Sequence, residues 1–364
     1  IVMQLSRAGE NMIINDSSGE ISQKTYHLLE SRGYEIKILN TLNPDVSDGW
    51  NFVGAVKDDH VLSLIFARMI IDSFAGDTKG GDPFWTEGMY VLLSALMLYV
   101  NTTPANTIEQ IRYLLTKIDV NDYEAIFEKL PEDHPARMDL DTFLTSPVKK
   151  NMQNGTAQRL SIFNAAKISK ICSSEGIDII KDFTNPEKKT AVFIITSDKN
   201  TTFSFIPSLF LTAAANQLAD YAANYMDDKV LPRPVHFIMD EFSNTGKVAD
   251  IVRFLAATQK YGLAFHLIIQ SFPQFYGRYT EDEVYDIISN CQYILCFGAG
   301  EPKTAKFFEE YCGVTTVRSS MSQSKSVVFK ETDSFREGEQ QRNLFYTDEV
   351  LSINEFEFLM IVKT

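Results

Sequence analysis

Positive charge is in short supply in this 364-residue chain: 34 Lys and Arg stand against 48 Asp and Glu, a net charge of −14. A surface of that sign is not, as a whole, a nucleic-acid footprint, so any contact with a phosphate backbone has to be local, as in a channel. Cysteine is as sparse. Cys172, Cys291, Cys296 and Cys312 form no C-x-x-C pair and have no histidine at metal-ligand spacing. That argues against a disulfide scaffold or a zinc module and fits a reducing, intracellular compartment. Long apolar runs are missing too. The longest, Met89 to Val100, is too short to span a bilayer. The chain opens on Ile1 with no secretory leader, so a soluble piece is expected, with any membrane anchor outside it. No internal repeat is evident, and the one low-complexity hint is Ser319 to Ser326.

What is present is ordinary globular composition, 45% hydrophobic and 23% charged, in a chain long enough for two domains or one large domain with an insertion. Its organising stretch is Pro234 to Gln274. Val235 to Met239 is an apolar run between a proline and the acidic pair Asp240-Glu241, the pattern of a buried parallel strand. Asp250 to Lys260 has helical spacing, Tyr261-Gly262 breaks it, and Leu263 to Ile269 reads as a second strand ending in Gln270. Strand, helix and strand make a βαβ unit, whose ligands gather at the carboxyl ends of the strands. An apolar strand ending in Asp-Glu is also the second acidic motif of P-loop ATPases. There the Asp holds Mg²⁺, the Glu orients or deprotonates water, and a Gln on the next strand senses the terminal phosphate. A plainer role for Asp240-Glu241 is an acidic pair at a helix N-terminus.

Around this stretch the texture changes twice. Asn11 to Asn15, Ile21 to Arg32 and Tyr34 to Leu39 read as strand, helix and strand, with Asp16-Ser17-Ser18-Gly19-Glu20 at a strand's carboxyl end. That turn either presents N–H groups to an anion or is a simple turn with an Asp cap. From about Asp58 to Lys170 strand signals vanish. Helices are expected over His60–Ser73, Trp85–Val100, Thr107–Lys117, Tyr123–Lys129, Asp139–Phe143 and Gly155–Ile171, with a loop at Gly76–Gly81. Trp85, Tyr90, Tyr99 and Tyr113 are expected in the core of that block. Strands return at Thr190–Ile195, Cys291–Phe297 and Phe356–Val362, with helices at Phe203–Ala222, Thr280–Ser289 and Thr304–Tyr311. Thr315 to Asn343 is polar and Ser-rich, and reads as an extended or mobile arm. The expected division is 1–57 and 171–364 for a nucleotide-binding α/β domain, with 58–170 as an all-α insertion.

Taken in order, IINDSSGEI, RGYEIKILN, SDGWNF, KKTAVFIITSD, VHFIMDEF, QKYGLAFHLIIQSFPQ and RNLFYTDEV resemble the TraG/TraD coupling ATPases of conjugation and type IV secretion. The resemblance runs from about residue 3 to the C-terminus. It implies a RecA-like domain with a mostly parallel sheet and an inserted helical domain, ATP and Mg²⁺ as cofactors, and a homo-hexamer. It further implies a seat at the cytoplasmic face of the bacterial inner membrane, held through a segment outside this chain. The implied partners are secretion-channel components and either a relaxase–DNA complex or secreted effector proteins. Carried over by position, Asp240 is the Mg²⁺-associated acid, reaching the metal through water, Glu241 the water-activating acid and Gln270 the nucleotide-sensing residue. Asp16, Gly19 and Glu20 match an Asp-Pro-Lys-Gly-Glu turn.

Three departures stand out. No G-x-x-x-x-G-K-[ST] phosphate loop occurs in these residues, so the backbone cradle and Lys for the phosphates are missing from them. Ser17-Ser18 replaces the family's Pro-Lys. Gln259, followed by Lys260, stands where the family carries an Arg that can act as a finger, and a Lys lacks the bidentate fork. The function implied is a motor that recruits relaxase-bound DNA or effectors and delivers them by ATP hydrolysis. The alternatives are a degenerate substrate receptor and another RecA-like DNA-translocating ATPase.

Overall fold

The computed structural model describes residues 1–74, 83–196, 201–327 and 330–363, with the backbone alone for residues 83, 201, 318–327 and 330–338. The loop expected at Gly76–Gly81 lies outside the described residues. The chain gathers into two compact units, Ile1–Ile268 and Ile269–Thr364.

The first unit is built on a five-stranded parallel sheet of β1 (Asn11–Ser17), β2 (Glu35–Asn40), β3 (Thr190–Thr196), β4 (Val235–Met239) and β5 (Leu263–Leu267), in the order β2-β3-β1-β4-β5. Met12, Ile13 and Ile14 of β1 and Ala191 to Ile194 of β3 have no exposed surface. Such continuous apolar runs are what a strand covered on both faces requires. The opening strand–helix–strand is present, but β1 and β2 are not neighbours. β3 slots between them, pairing Ala191 with both Met12 and Ile36. Central buried strands all look alike in sequence, so their lateral order is not written in any one of them.

The first crossover helix, Glu20–Ser31, is started by Asp16. Its two carboxylate oxygens accept the N–H groups of Ile21 at 3.0 Å and Ser22 at 2.7 Å, satisfying donors that a helix N-terminus leaves open. Gly33, at φ +75°, turns the chain into β2. Asp16→Ala is expected to cost about 1–2 kcal/mol, the usual scale for a lost cap, read as a lower urea midpoint; Asp16→Asn should lose less.

Between β2 and β3 the described residues contain helices and no strand. The main ones are His60–Ser73, Pro83–Asn101, Ile108–Lys117, Tyr123–Phe127, Pro135–Leu144, Lys149–Arg159 and Ala166–Ser173. The helix expected over Gly155–Ile171 is two, separated by a tight turn at Leu160–Asn164. Ala165 is extended there (φ −67°, ψ 101°), and Arg112 holds the Phe163 carbonyl at 2.9 Å. Of the aromatic residues expected inside, Tyr90 is buried and Tyr99 stacks on Phe127 at 4.4 Å. Trp85 and Tyr113, 37% and 52% exposed, are not core. Trp85 sits in the first turn of its helix, and Tyr113 lies off the stripe of Ile111, Leu114 and Leu115 that the helix buries. Trp50 ties this block to the long helix Phe205–Tyr225, its ring 5.0 Å from Phe210 and 6.2 Å from Phe66.

A charged pair lies inside the same unit. Lys37 Nζ is 2.8 Å from both oxygens of Asp182 and 2.8 Å from the Gly176 carbonyl. Asp182 is 3% exposed and also accepts the Asp178 N–H at 2.9 Å.

In the second unit, Glu281–Asn290 starts with a reciprocal cap between Thr280 and Glu283, as Thr280 and the acids after it suggest. β6 (Tyr293–Cys296) pairs antiparallel with the late strand Leu359–Val362, while Pro302–Cys312 forms a helix between β6 and the long polar segment. That segment, expected as an arm, is a ladder. β7 (Val314–Val327) pairs with β8 (Lys330–Asn343) along its whole length, from Val314 opposite Asn343 to Val327 opposite Lys330. Its sequence of serines and charges has no alternation of apolar and polar residues, which is why the pairing is invisible to a hydrophobic pattern. Leu359–Val362 is then β9.

Candidate functional site

The parallel sheet directs the carboxyl ends of β1, β3 and β4 to one edge, where open α/β sheets bind ligands. Asp240 and Glu241 leave β4 there. The Asp240 N–H continues the ladder to the Asn15 carbonyl at 3.3 Å, and Asn15 Nδ2 donates to the Asp240 carbonyl at 2.9 Å. The same amide donates to Thr245 Oγ1 at 2.9 Å, so Asn15 clamps both ends of the loop that carries the acids. Asn15 is 1% exposed, and its Oδ1 has no hydrogen-bond partner among the described residues. Asn15 and Thr245 escape a reading based on acidic motifs. The signal for Asn15 is an amide inside an otherwise apolar strand, where asparagine is disfavoured.

Glu241 adopts φ 49°, ψ 49°, the left-handed region. A non-glycine residue there is costly and is kept where the surroundings over-determine it. Here the carbonyl of Glu241 accepts the Asn244 N–H at 2.7 Å, its carboxylate accepts Asn244 Nδ2 at 3.0 Å, and the next N–H, of Phe242, bonds Ile268 at 2.9 Å. Burial, with the Glu241 charge next and then those of Asp16 and Glu20, pushes the Asp240 carboxyl above its ordinary range. Ionising Asp240 therefore costs stability in the folded protein, and a cation beside it would offset that cost.

The other turn at this edge is tightly closed. Asp16 is fully buried, with both oxygens on the helix, while Ser18 (φ 72°) and Gly19 (φ 80°) are both left-handed. Their N–H groups go to Thr196 at 3.1 Å and Asp16 at 3.4 Å. The structure thus gives Asp16 the cap role, and the turn spends its donors internally instead of facing an anion. Glu20 is exposed, 3.2 Å from Lys24. A cleft of about 270 Å³ opens beside this edge, lined by Thr41, Thr196, Asn244 and Thr245 among others.

Gln259 and Lys260 lie elsewhere. They sit in the tight turn Gln259–Tyr261 before β5, whose first residue is level with Val235, the start of β4. At about 3.3 Å per residue, the length of β4 puts them about 15 Å from the carboxyl edge. They cannot reach the acids of their own chain without a large movement. β5 ends at Leu267 and not at Ile269 as expected: the Ile268 N–H still continues the ladder to the Met239 carbonyl at 3.1 Å, but beyond left-handed Glu241 it is the Phe242 N–H that meets the Ile268 carbonyl, at 2.9 Å, and regular pairing stops. Gln270 follows β5 by three residues and belongs to the second unit, with Gln274 Nε2 at 3.4 Å.

Among the described residues, no set of three His, Cys, Asp or Glu side chains forms a ready-made metal cage. The donor set suits a hard divalent cation held largely through water, with one carboxylate supplied by the protein.

The whole chain, residues 2–364, matches the family described as type IV secretory system conjugative DNA transfer. The chain belongs to that family. The likeness to TraG/TraD coupling proteins read from its motifs is thereby shown. No curated protein matches it. Among solved structures it is similar to the bacterial conjugative coupling protein TrwBdeltaN70 in its unbound monoclinic form, with TM-score 0.74 and 14% identity over 100% of this chain and 77% of that one. It is similar also to TrwB in complex with ADP and Mg²⁺ (TM-score 0.71, 14% identity, 100% and 78% covered) and with the ATP analogue ADPNP (0.69, 13%, 100% and 78%). These likenesses establish the fold of this family member, a RecA-like parallel sheet with a helical block between two of its strands. No helix among its described residues is long and apolar enough to cross a membrane.

Proposed function

We propose that this family member is the nucleotide-driven part of a coupling protein. It recruits relaxase-bound DNA or effector proteins and passes them to the secretion channel in a hexameric ring anchored at the inner membrane. The observation that carries the reading is the Asp240-Glu241 pair at the carboxyl edge, with the Asp240 carboxyl pushed up by its burial and its acidic neighbours and Glu241 held in a strained conformation. The Mg²⁺ and ADP or ADPNP seen with TrwB supply the chemistry when bound here: the metal neutralises phosphate charge. Asp240 holds the metal's water shell, Glu241 orients and deprotonates the attacking water, and Gln270 senses the terminal phosphate. Asp16 sets the turn that places Gly19 and Glu20 near the nucleotide. Residues 58–170 form the helical domain that meets substrate.

The distance of Gln259 and Lys260 from their own acids supports a role toward the site of a neighbouring copy. Ser17-Ser18 and Gln259, which lack the family's positive charges, favour a second reading, a receptor with little hydrolysis. Two measurements separate the readings. The 364 residues alone, without a phosphate loop, are expected to bind ATP·Mg²⁺ more weakly than micromolar, about −8 kcal/mol, in a calorimetric titration; tighter binding would move the site elsewhere. In the assembled protein carrying a phosphate loop, Gln259→Arg should raise steady-state hydrolysis if a missing guanidinium limits it, since such fingers supply about 10³–10⁵ in rate. An unchanged rate leaves the receptor reading.

A further inference from the structure

Asn15 stands where the strand calls for an apolar residue. Met12, Ile13 and Ile14 before it have no exposed surface, and its partners across the sheet are Ile194 of β3 and Met239 of β4. An amide in such a setting is tolerated when its polar atoms are paired. Here the carbonyl is not, since Oδ1 has no partner among the described residues. The side chain is therefore kept at a cost to stability, and such costs gather at functional sites. What the amide supplies is two bonds from one nitrogen, to the Asp240 carbonyl and to Thr245 Oγ1, each at 2.9 Å. Leucine has the size and no donor, and an ionised aspartate only accepts, so neither replaces it.

Between those two anchors lies one tight turn, Phe242–Asn244, entered through left-handed Glu241. The long helix Phe205–Tyr225 holds it from the other side. Ser208 Oγ shares its proton between the Ser204 carbonyl at 3.0 Å and the Thr245 carbonyl at 3.3 Å. At Gly246 a Cβ would lie 2.7 Å from the Ser204 carbonyl oxygen, closer than a side chain can come. Asp240 does not depend on this staple, because its own N–H is bonded to the Asn15 main-chain carbonyl at 3.3 Å as part of the strand pairing. Glu241 does depend on it. Its backbone conformation is costly, and the bonds that close the turn are what offset the cost.

We propose that Asn15 is a positioning residue: through Thr245 it fixes the turn from which Glu241 meets water, and so sets turnover without taking part in binding. The proposal rests on the reading of Asp240 and Glu241 given above. Losing the staple leaves Asp240 in the ladder, and with it the affinity for cation and nucleotide. It frees the turn, and a displacement of about 1 Å at a reacting group is enough to cost about 10²-fold in rate. The two kinetic constants therefore part. Turnover falls and KM stays.

Two measurements test this, steady-state kinetics of the assembled protein carrying a phosphate loop and hydrogen exchange of the 364-residue chain without metal or nucleotide. Asn15→Leu is expected to lower kcat by about 10- to 100-fold with KM within about threefold of wild type. Thr245→Val should lower kcat about fivefold, while Thr245→Ser, which keeps the hydroxyl, should stay within about twofold. Asn15→Leu/Thr245→Val should be no slower than Asn15→Leu, since both changes remove the same bond. In the metal-free chain Asn15→Leu should speed exchange of the Asn244 and Thr245 amides, which bond the Glu241 and Phe242 carbonyls, by about tenfold or more, while Met12 to Ile14 keep their protection. Exchange that rises equally everywhere, with kcat falling only as the folded fraction falls, would make Asn15 a structural residue and overturn the proposal. So would a loss in Thr245→Ser equal to that in Thr245→Val, and these two variants carry the test if Asn15→Leu does not fold. Wild-type kcat in Asn15→Leu beside impaired Glu241→Gln overturns the positioning role alone. Wild-type turnover in Glu241→Gln removes the reading of the site and the proposal with it.

Discussion

Glu241→Gln is expected to leave nucleotide affinity of the assembled protein nearly unchanged while turnover falls by about 10²-fold or more, the scale of a lost general base. The amide keeps the size of the side chain and can still bond Asn244, which now holds the carboxylate at 3.0 Å, so the kinked backbone should survive. What disappears is the group that takes a proton from water. Asp240→Asn should behave differently. It removes the charge beside the cation, so Mg²⁺-dependent binding itself should weaken. It also relieves the crowding of Asp240 by Glu241, Asp16 and Glu20, so the metal-free protein should be no less stable. Steady-state hydrolysis together with titration of nucleotide at several Mg²⁺ concentrations separates the two variants. Equal turnover in wild type and Glu241→Gln would remove this acid from the chemistry.

Lys37→Met is expected to be the most damaging of the substitutions considered for stability, about 3–5 kcal/mol, because it strands the Asp182 carboxylate in a site where it is 3% exposed. The ammonium is the sole cation within bonding distance that the structure gives Asp182 among the described residues, at 2.8 Å to each oxygen. The Asp178 N–H cannot neutralise it. Removing both charges in Lys37→Met/Asp182→Leu should be much milder than the single change, since a buried pair can be replaced by apolar groups at little net cost. Urea unfolding of the three proteins checks this. A double variant as unstable as Lys37→Met would mean that the cost comes from packing around β2 and not from the unpaired charge.

How far the sequence could be read follows from what each feature depends on. Val235–Met239 and His60–Ser73 are legible to the residue, because an apolar run against Asp240-Glu241 and an amphipathic helical pattern are local signals. The acidic pair at a strand end was legible for the same reason. Asn15 was not, since its part at the site consists of two bonds to residues more than 200 positions away. The end of β5 is overrun by two residues, as Ile268 and Ile269 are apolar enough to extend any strand, while the regular pairing is lost on the partner strand, at left-handed Glu241. Trp85 and Tyr113 show the limit of arguing from residue type: large rings suit a core, but the face of the helix decides. The β7–β8 ladder is not legible because its polar, Ser-rich sequence has no alternating apolar pattern to mark a strand.

The place of β3 in the sheet also orders events during synthesis. β1 and β2 have no ladder with each other, and each needs β3, about 150 residues further along, to close its hydrogen bonds. A nascent chain stopped before Thr190 therefore holds β1 and β2 with no strand to join them, while the helical segment that follows β2, rich in near-neighbour contacts, is free to condense at once. Closing the sheet then joins ends that this condensed segment has already drawn together, which shortens the effective loop and lowers its entropy cost. Pulse-labelled hydrogen exchange should find amides of His60–Ser73 protected before those of Met12–Ile14, and the reverse order would show that the sheet leads. Until residue 196 has left the ribosome, the strand that later positions Asn15 under the acids is an exposed, aggregation-prone edge.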